Sequence, residues 1–179
     1  MRIITGKYKG RKLYTPKDRH VRPTSDRVKE AIFSMLGEAI MDNRVLDLFA
    51  GTGSLGLESL SRGASHCVFV DNNRESIQLI KDNIAHLGAA RESTVISGDY
   101  RIALNQMKDP FDLIFMDPPY HVEEIEDILL TIDKKGLLKE QGAIVVERDH
   151  RHTLPEEIGS YRTVKSKKYG MTRITFYQR

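Results

Sequence analysis

Residues 44–56, RVLDLFAGTGSLG, pass without a linker from a short apolar run into three glycines, Gly51, Gly53 and Gly56, in the spacing G-x-G-x-x-G. A strand that runs straight into a glycine-rich turn and then a helix opens a βα unit. Its small residues let a ligand approach the backbone, and the helix start offers free amides. Downstream, HCVFVD, STVIS, DLIFMD and AIVVER repeat the apolar texture. Near-continuous apolarity in runs this short is what parallel strands covered on both faces require. Helical patterns lie between them, at about 54–62, 73–87, 100–107 and 122–132, and Gly63 and Gly88 read as C-terminal stops. The alternation predicts an α/β chain with a doubly wound, mostly parallel, seven-stranded sheet.

The two ends of the chain extend this pattern. SYRTVKSKKYGMTRITFYQR at the C-terminus reads as two strands around Tyr169–Gly170, an antiparallel hairpin closing one edge of the sheet. RIIT and RKLYT around a KYKG turn read as a short N-terminal hairpin. Thr24 or Ser25 then caps a helix whose Val28, Ile32, Met35 and Leu36 share one face. The expected organisation is one domain over 1–179, with residues 1–37 as a basic N-terminal extension and 44–179 as the Rossmann-like core.

Composition narrows the classes. With 179 residues, 40% hydrophobic, 30% charged, 13 Gly and 6 Pro, the chain is neither collagen, coiled coil nor disordered. No apolar run reaches the roughly 18–20 residues that span a bilayer, and the start resembles no secretory signal. A single cysteine, Cys67, fits a cytoplasmic setting. The net charge of +3 conceals an asymmetry, because residues 1–30 carry +7, residues 160–179 carry +6, and the remainder carries −10. Basic ends interleaved with tyrosines and glycines predict a polyanion partner, specifically nucleic acid. Lys7, Lys9, Arg11, Lys12, Arg27, Lys167 and Lys168 are the candidate nucleic-acid contacts.

The acidic middle carries the chemistry. Asp71 ends the second strand 20 residues after Gly51, where a carboxylate accepts hydrogen bonds from a ribose. Asp47 stands beside the glycine loop, where it would repel a pyrophosphate and attract a cationic amino group. S-adenosylmethionine has both that group and a ribose. Asp99, after the third strand, can accept from an adenine amine or cap a helix. Asp117, Pro118, Pro119 and Tyr120 follow the fourth strand at the edge where open α/β sheets bind ligands. Two prolines make a stiff turn with carbonyls lacking a local donor. The Asp117 carboxylate and Pro118 carbonyl can hold both protons of an exocyclic base amine in line with a methyl group. Tyr120 offers a face on which an extruded base can stack.

With these residues the chain resembles class I S-adenosylmethionine-dependent methyltransferases, and within them the bacterial family that methylates guanine N2 in 16S ribosomal RNA. The resemblance runs through MRIITGKYKGRKL, RPTSDRVKEAIF, LDLFAGTGSLGLESLSRGA, VDNN, DPPY and KKYGMTRITFY, nearly the whole chain. It implies that Asp47 and the Gly51–Gly53 backbone hold the methionine moiety, Asp71 the ribose and Asp99 the adenine. Phe49, Ala50, Gly56, Asn72 and Tyr100 flank those positions, and Arg22 and Thr24 precede a helix expected to close the pocket. The implied partner is 16S rRNA in the small ribosomal subunit or its precursor, met by a monomer with no metal. The rival substrate is adenine N6 in DNA or another RNA, whose enzymes share the Asp-Pro-Pro-Tyr turn. From a different class, the alternative is a non-catalytic RNA-binding module.

Overall fold

In the computed structural model, which describes residues 1–16, 25–37, 39–119 and 125–179, β1 (Arg44–Leu48) has parallel neighbours on both sides, β2 (His66–Asp71) and β4 (Phe111–Met116). Beyond β2 lies β3 (Ser93–Ser97), and beyond β4 lies β5 (Leu138–Asp149), both again parallel. Then β8 (Thr172–Gln178), β7 (Tyr161–Tyr169) and β6 (Glu157–Ile158) continue the sheet antiparallel. The order is β3-β2-β1-β4-β5-β8-β7-β6. The two-residue β6, too short to leave a sequence pattern, makes eight strands where seven were expected.

The apolar strands are buried on both faces, as their composition requires. Val45, Cys67 and Phe69 enter one core, with residues of α1 (Asp26–Leu36), α2 (Ser54–Ser61) and α3 (Arg74–Leu87). Leu46, Leu48, Val68 and Val70 enter the other, with α4 (Tyr100–Gln106) and α5 (Ile125–Lys134). Chain order turns back between β1 and β4, so the topological switch point lies there.

Helix ends follow local chemistry. The Ser25 hydroxyl accepts from Val28 N–H at 3.3 Å and starts α1, and the Asn73 side chain accepts from Glu75 and Ser76 to start α3. Gly88, at φ 72°, ends α3 in the left-handed region. Every residue of α2 is buried. A Cβ on Gly56 would sit 2.3 Å from Phe69 Cε1 and 2.6 Å from Cys67 Sγ, so the third glycine of the loop exists to seat α2 on β2. Among the described residues no helix is long and apolar enough to cross a membrane.

The N-terminal hairpin forms with a single antiparallel bridge, Arg2↔Lys12, and lies along α2. Ser61, the last residue of α2, accepts from Lys7 N–H through its carbonyl and from Tyr8 N–H through its hydroxyl. Gly6, at φ 88°, comes so close that a Cβ there would overlap the Ser61 carbonyl.

Candidate functional site

The carboxyl ends of β1 to β4 form one ridge, and four predicted acids stand on it. Asp47 is the penultimate residue of β1, Asp71 the last of β2, Asp99 lies two residues past β3, and Asp117 one past β4. The glycine loop is fixed from below by two of them. Asp71 Oδ2 accepts from Gly51 N–H at 2.8 Å and its Oδ1 from Asn73 N–H at 2.9 Å. Asp47 Oδ2 accepts from Gly56 N–H at 2.9 Å. Gly53 N–H bonds to the Ala50 carbonyl at 2.7 Å. The amides of Gly51, Gly53 and Gly56 are therefore occupied, and Gly51 offers bare surface instead: nothing lies within 4 Å of where its Cβ would be.

Phe49 holds a left-handed φ of 68° without being glycine, a conformation that costs a side-chain-bearing residue about 1–2 kcal/mol. Its ring meets that of Tyr100 at 5.1 Å between centroids, and the Arg101 guanidinium lies over the tyrosine ring, 4.8 Å from its centroid. The strained residue thus joins the loop after β1 to the helix after β3, an aromatic wall beside Asp71 and Asp99. Asn72 is exposed next to it, and Ala50 is buried. Asp99 does cap α4, accepting from Arg101 N–H at 2.8 Å, and remains 41% exposed at its side chain.

Electrostatics single out Asp47. It is 2% exposed and forms no ion pair among the described residues. Burial, reinforced by the charges of Asp117 and Asp71 and opposed by the Gly56 amide, pushes its carboxyl up to about 8. Three acids converging on a switch point, one of them desolvated, favour a ligand that brings positive charge. In the turn after β4, Asp117 is half-buried, Pro118 buried and Pro119 exposed. Tyr120, Arg22 and Thr24 lie outside the described residues.

Two buried polar residues join this site to the N-terminus. Glu58, fully buried in α2, accepts from Ile4 N–H (2.8 Å), Thr5 N–H (3.0 Å) and Arg62 Nε (2.9 Å), and pairs with Lys29 Nζ at 3.4 Å. Lys29, counted by sequence among the basic residues, is fully buried and unavailable to a partner. Asn83 accepts from Tyr14 N–H at 2.7 Å and donates to the carbonyls of Tyr14 (3.1 Å) and Thr52 (3.0 Å), fastening the N-terminal segment to the glycine loop. Sequence reasoning passed over Asn83. Its signal is an amide set among Ile77, Ile80, Ile84 and Leu87 on the apolar face of α3.

The basic candidates separate spatially. Lys7, Lys9, Arg11 and Lys12 are exposed on the N-terminal hairpin. Lys7 pairs with Glu92 at 3.2 Å, just before β3, and Arg11 reaches the Leu87 carbonyl at 3.5 Å. That places the hairpin tip at the amino-terminal edge of the sheet. Arg27 is exposed on the first turn of α1. Lys167 and Lys168 are exposed at the end of β7, whose partner β8 leaves the carboxyl end of β5. These two belong to the same edge as Asp117. A cavity of about 780 Å³ opens at the opposite edge, lined by Met35, Leu36, Asp112, Lys139 and Phe176, away from every predicted site residue.

Comparison with known proteins adds four likenesses. The family model described as conserved hypothetical protein 95 matches residues 1–178. A Bacillus subtilis (strain 168) protein, provisionally named as the rRNA methyltransferase YlbH, is 40% identical over 100% of this chain and 99% of its own. The ribosomal RNA small subunit methyltransferase D of Escherichia coli (strain K12) is 34% identical over 100% of this chain and 90% of its own length. A solved Escherichia coli structure, provisionally titled as the methyltransferase yhhF, superposes with a TM-score of 0.89 at 34% identity, covering 100% of this chain and 97% of that one.

Proposed function

This chain belongs to the conserved hypothetical protein 95 family, and from that membership and the acid-lined ridge we propose that it transfers a methyl group from S-adenosylmethionine to RNA of the small ribosomal subunit, with guanine N2 as the acceptor. The observation that carries the reading is the pairing of desolvated Asp47 with Asp117 across the switch point between β1 and β4. A cationic ligand at Asp47 relieves a charge conflict that the fold leaves standing.

The residues present fit this cofactor. Asp47 would face the amino group of its methionine part, the bare surface of Gly51 would let the chain lie close, and Asp71 would take the ribose hydroxyls with its remaining acceptor capacity. Phe49, Tyr100 and Asp99 would bound the adenine. The cofactor supplies a methyl group on a sulfonium, which leaves as a neutral thioether. The protein's task is to make a poor nucleophile attack. An exocyclic amine delocalises its lone pair into the ring. Accepting its protons at the Asp117 carboxylate and the Pro118 carbonyl favours the pyramidal form and aims the nitrogen. The Asp117 carboxylate would take the proton released after attack. Tyr120 would stack on the base, and Lys7, Lys9, Arg11, Lys12, Arg27, Lys167 and Lys168 would meet RNA phosphates, in a shape-based recognition of the folded subunit.

Transfer of labelled methyl to small ribosomal subunits, protein-free 16S RNA, duplex DNA and a protein extract tests the reading. N2-methylguanosine from subunits is the expected product. Label in DNA as N6-methyladenine would keep the mechanism and replace the substrate. Asp117→Ala is expected to lower turnover at least 10³-fold with cofactor binding intact, and near-normal turnover would remove Asp117 from the catalytic role.

A further inference from the structure

We propose that Arg148, Arg173 and Lys168 form a phosphate-binding row for the RNA backbone, immediately beside the turn that receives the target base. Strand register carries the argument. Arg148 of β5 pairs with Arg173 of β8, and Arg173 pairs with Lys168 of β7. Residues directly opposite each other in adjacent strands project from the same face. Three cations therefore stand side by side across three strands, over roughly 10 Å, two interstrand spacings. The pairing of β4 with β5 ends at Met116↔Val146. Two residues further along, Pro118 is level with Arg148, so the row begins where the Asp117–Pro118 turn ends.

Nothing in the fold calls for this arrangement. Like charges directly opposite one another in a sheet are destabilising, and among the described residues these cations lack enough acceptors. The Nε groups of Arg148 and Arg173 are both buried without a hydrogen-bond partner. Arg173 Nη1 donates to Ser166 Oγ at 3.2 Å. The carboxylates near them among the described residues do not fill the gap. Asp149 is engaged by Arg151 through two bonds, at 2.9 and 2.8 Å. Glu147 pairs in register with Ile174 and so belongs to the other face. Glu126 acts on Arg148 through its charge, and no hydrogen bond joins the two among the described residues. One pleat below, Ser166 Oγ and Thr175 Oγ1 lie 3.3 Å apart and add hydroxyls to the same face. Guanidinium forks and hydroxyls short of acceptors match a phosphodiester, which brings charge and acceptor oxygens together. In this position the row would hold the backbone flanking the extruded nucleotide.

The row rests on the RNA reading above, and the test separates the two. Binding to small ribosomal subunits purified from cells lacking this protein is measured from 50 to 200 mM KCl, alongside cofactor affinity and thermal unfolding. Arg148→Gln/Arg173→Gln is expected to flatten the log–log salt slope by roughly 1.5, at about 0.7–0.9 per lost phosphate contact. Cofactor affinity should be unchanged and the midpoint of unfolding equal or higher, because repulsion is relieved. Arg173→Lys, which keeps the charge and loses the fork, should keep the slope and weaken binding several-fold. An unchanged slope in the double variant with cofactor binding intact overturns the proposal, as does a lowered midpoint with an unchanged slope, which would make the arginines structural. If the double variant does not fold, Arg173→Lys decides alone, and wild-type affinity there overturns the row. A wild-type protein that transfers no methyl to these subunits removes the functional reading whatever the slopes show.

Discussion

Glu58 and Asp47 are both carboxylates shut away from water, eleven residues from one another in adjoining segments, and their surroundings are opposite. Glu58 has its charge answered by Lys29 and Arg62 and its oxygens filled by the Ile4 and Thr5 amides. Asp47 has one amide and faces the charges of two other acids. A complete ion-pair network ties pieces of a structure together. An incomplete one costs stability at rest and is kept where a ligand finishes it. The difference separates scaffold from site with no reference to any relative.

Substitutions should therefore act with opposite signs. Glu58→Gln leaves Lys29 buried beside an amide and should cost about 3–5 kcal/mol, the usual penalty for breaking a buried pair. Denaturant midpoints and proteolysis of the first 14 residues would register it, and an unaltered midpoint would mean that the network is dispensable. Asp47→Asn should stabilise the ligand-free protein instead. Its folded value of about 8 lies above the ordinary 3.8, so wild-type stability present at low pH is lost as pH rises from about 4 through 8. The gap between variant and wild type should widen with pH by at most about 1.4 kcal/mol per unit. Equal unfolding curves at pH 4 and pH 8 would contradict the charge conflict.

The same conflict predicts pH-dependent ligand binding. An ammonium prefers ionised Asp47, so S-adenosylmethionine affinity should climb between pH 5.5 and 7.5, up to tenfold per unit, with proton release visible by calorimetry in buffers of different ionisation enthalpy. A flat profile would mean that Asp47 is ionised already.

A smaller contrast concerns the two basic hairpins. Lys7 and Lys9 lie at the amino edge of the sheet, and Lys7 is already paired with Glu92, whereas Lys167 and Lys168 share the edge of Asp117. Lys167→Gln/Lys168→Gln should reduce kcat/KM on subunits about tenfold, and Lys7→Gln/Lys9→Gln only two- to threefold. Equal losses would show that the RNA spans both edges evenly.

The periodicity of apolar runs and the glycine spacing were enough to specify the doubly wound sheet, because strands buried on both faces and tight βα turns leave residue-type signatures wherever they occur. The positions of the acids at 47, 71, 99 and 117 were legible for the same reason, each lying within two residues of the carboxyl end of a strand. The burial of Lys29 was not legible, since composition does not say which lysine meets a buried glutamate 29 positions later. Asn83 was passed over because its three bonds go to residues 31 and 69 positions away, and no local pattern encodes such partners. The two-residue β6 leaves no periodicity to detect. The cation row was hidden for the same reason: Arg148, Arg173 and Lys168 become neighbours only through the register of three strands. Local sequence determined which elements form and where their chemistry-bearing ends fall. Tertiary structure alone decided which charges are neutralised, which are left facing one another, and which edge of the sheet each basic segment meets, because those depend on contacts between residues far apart in the chain.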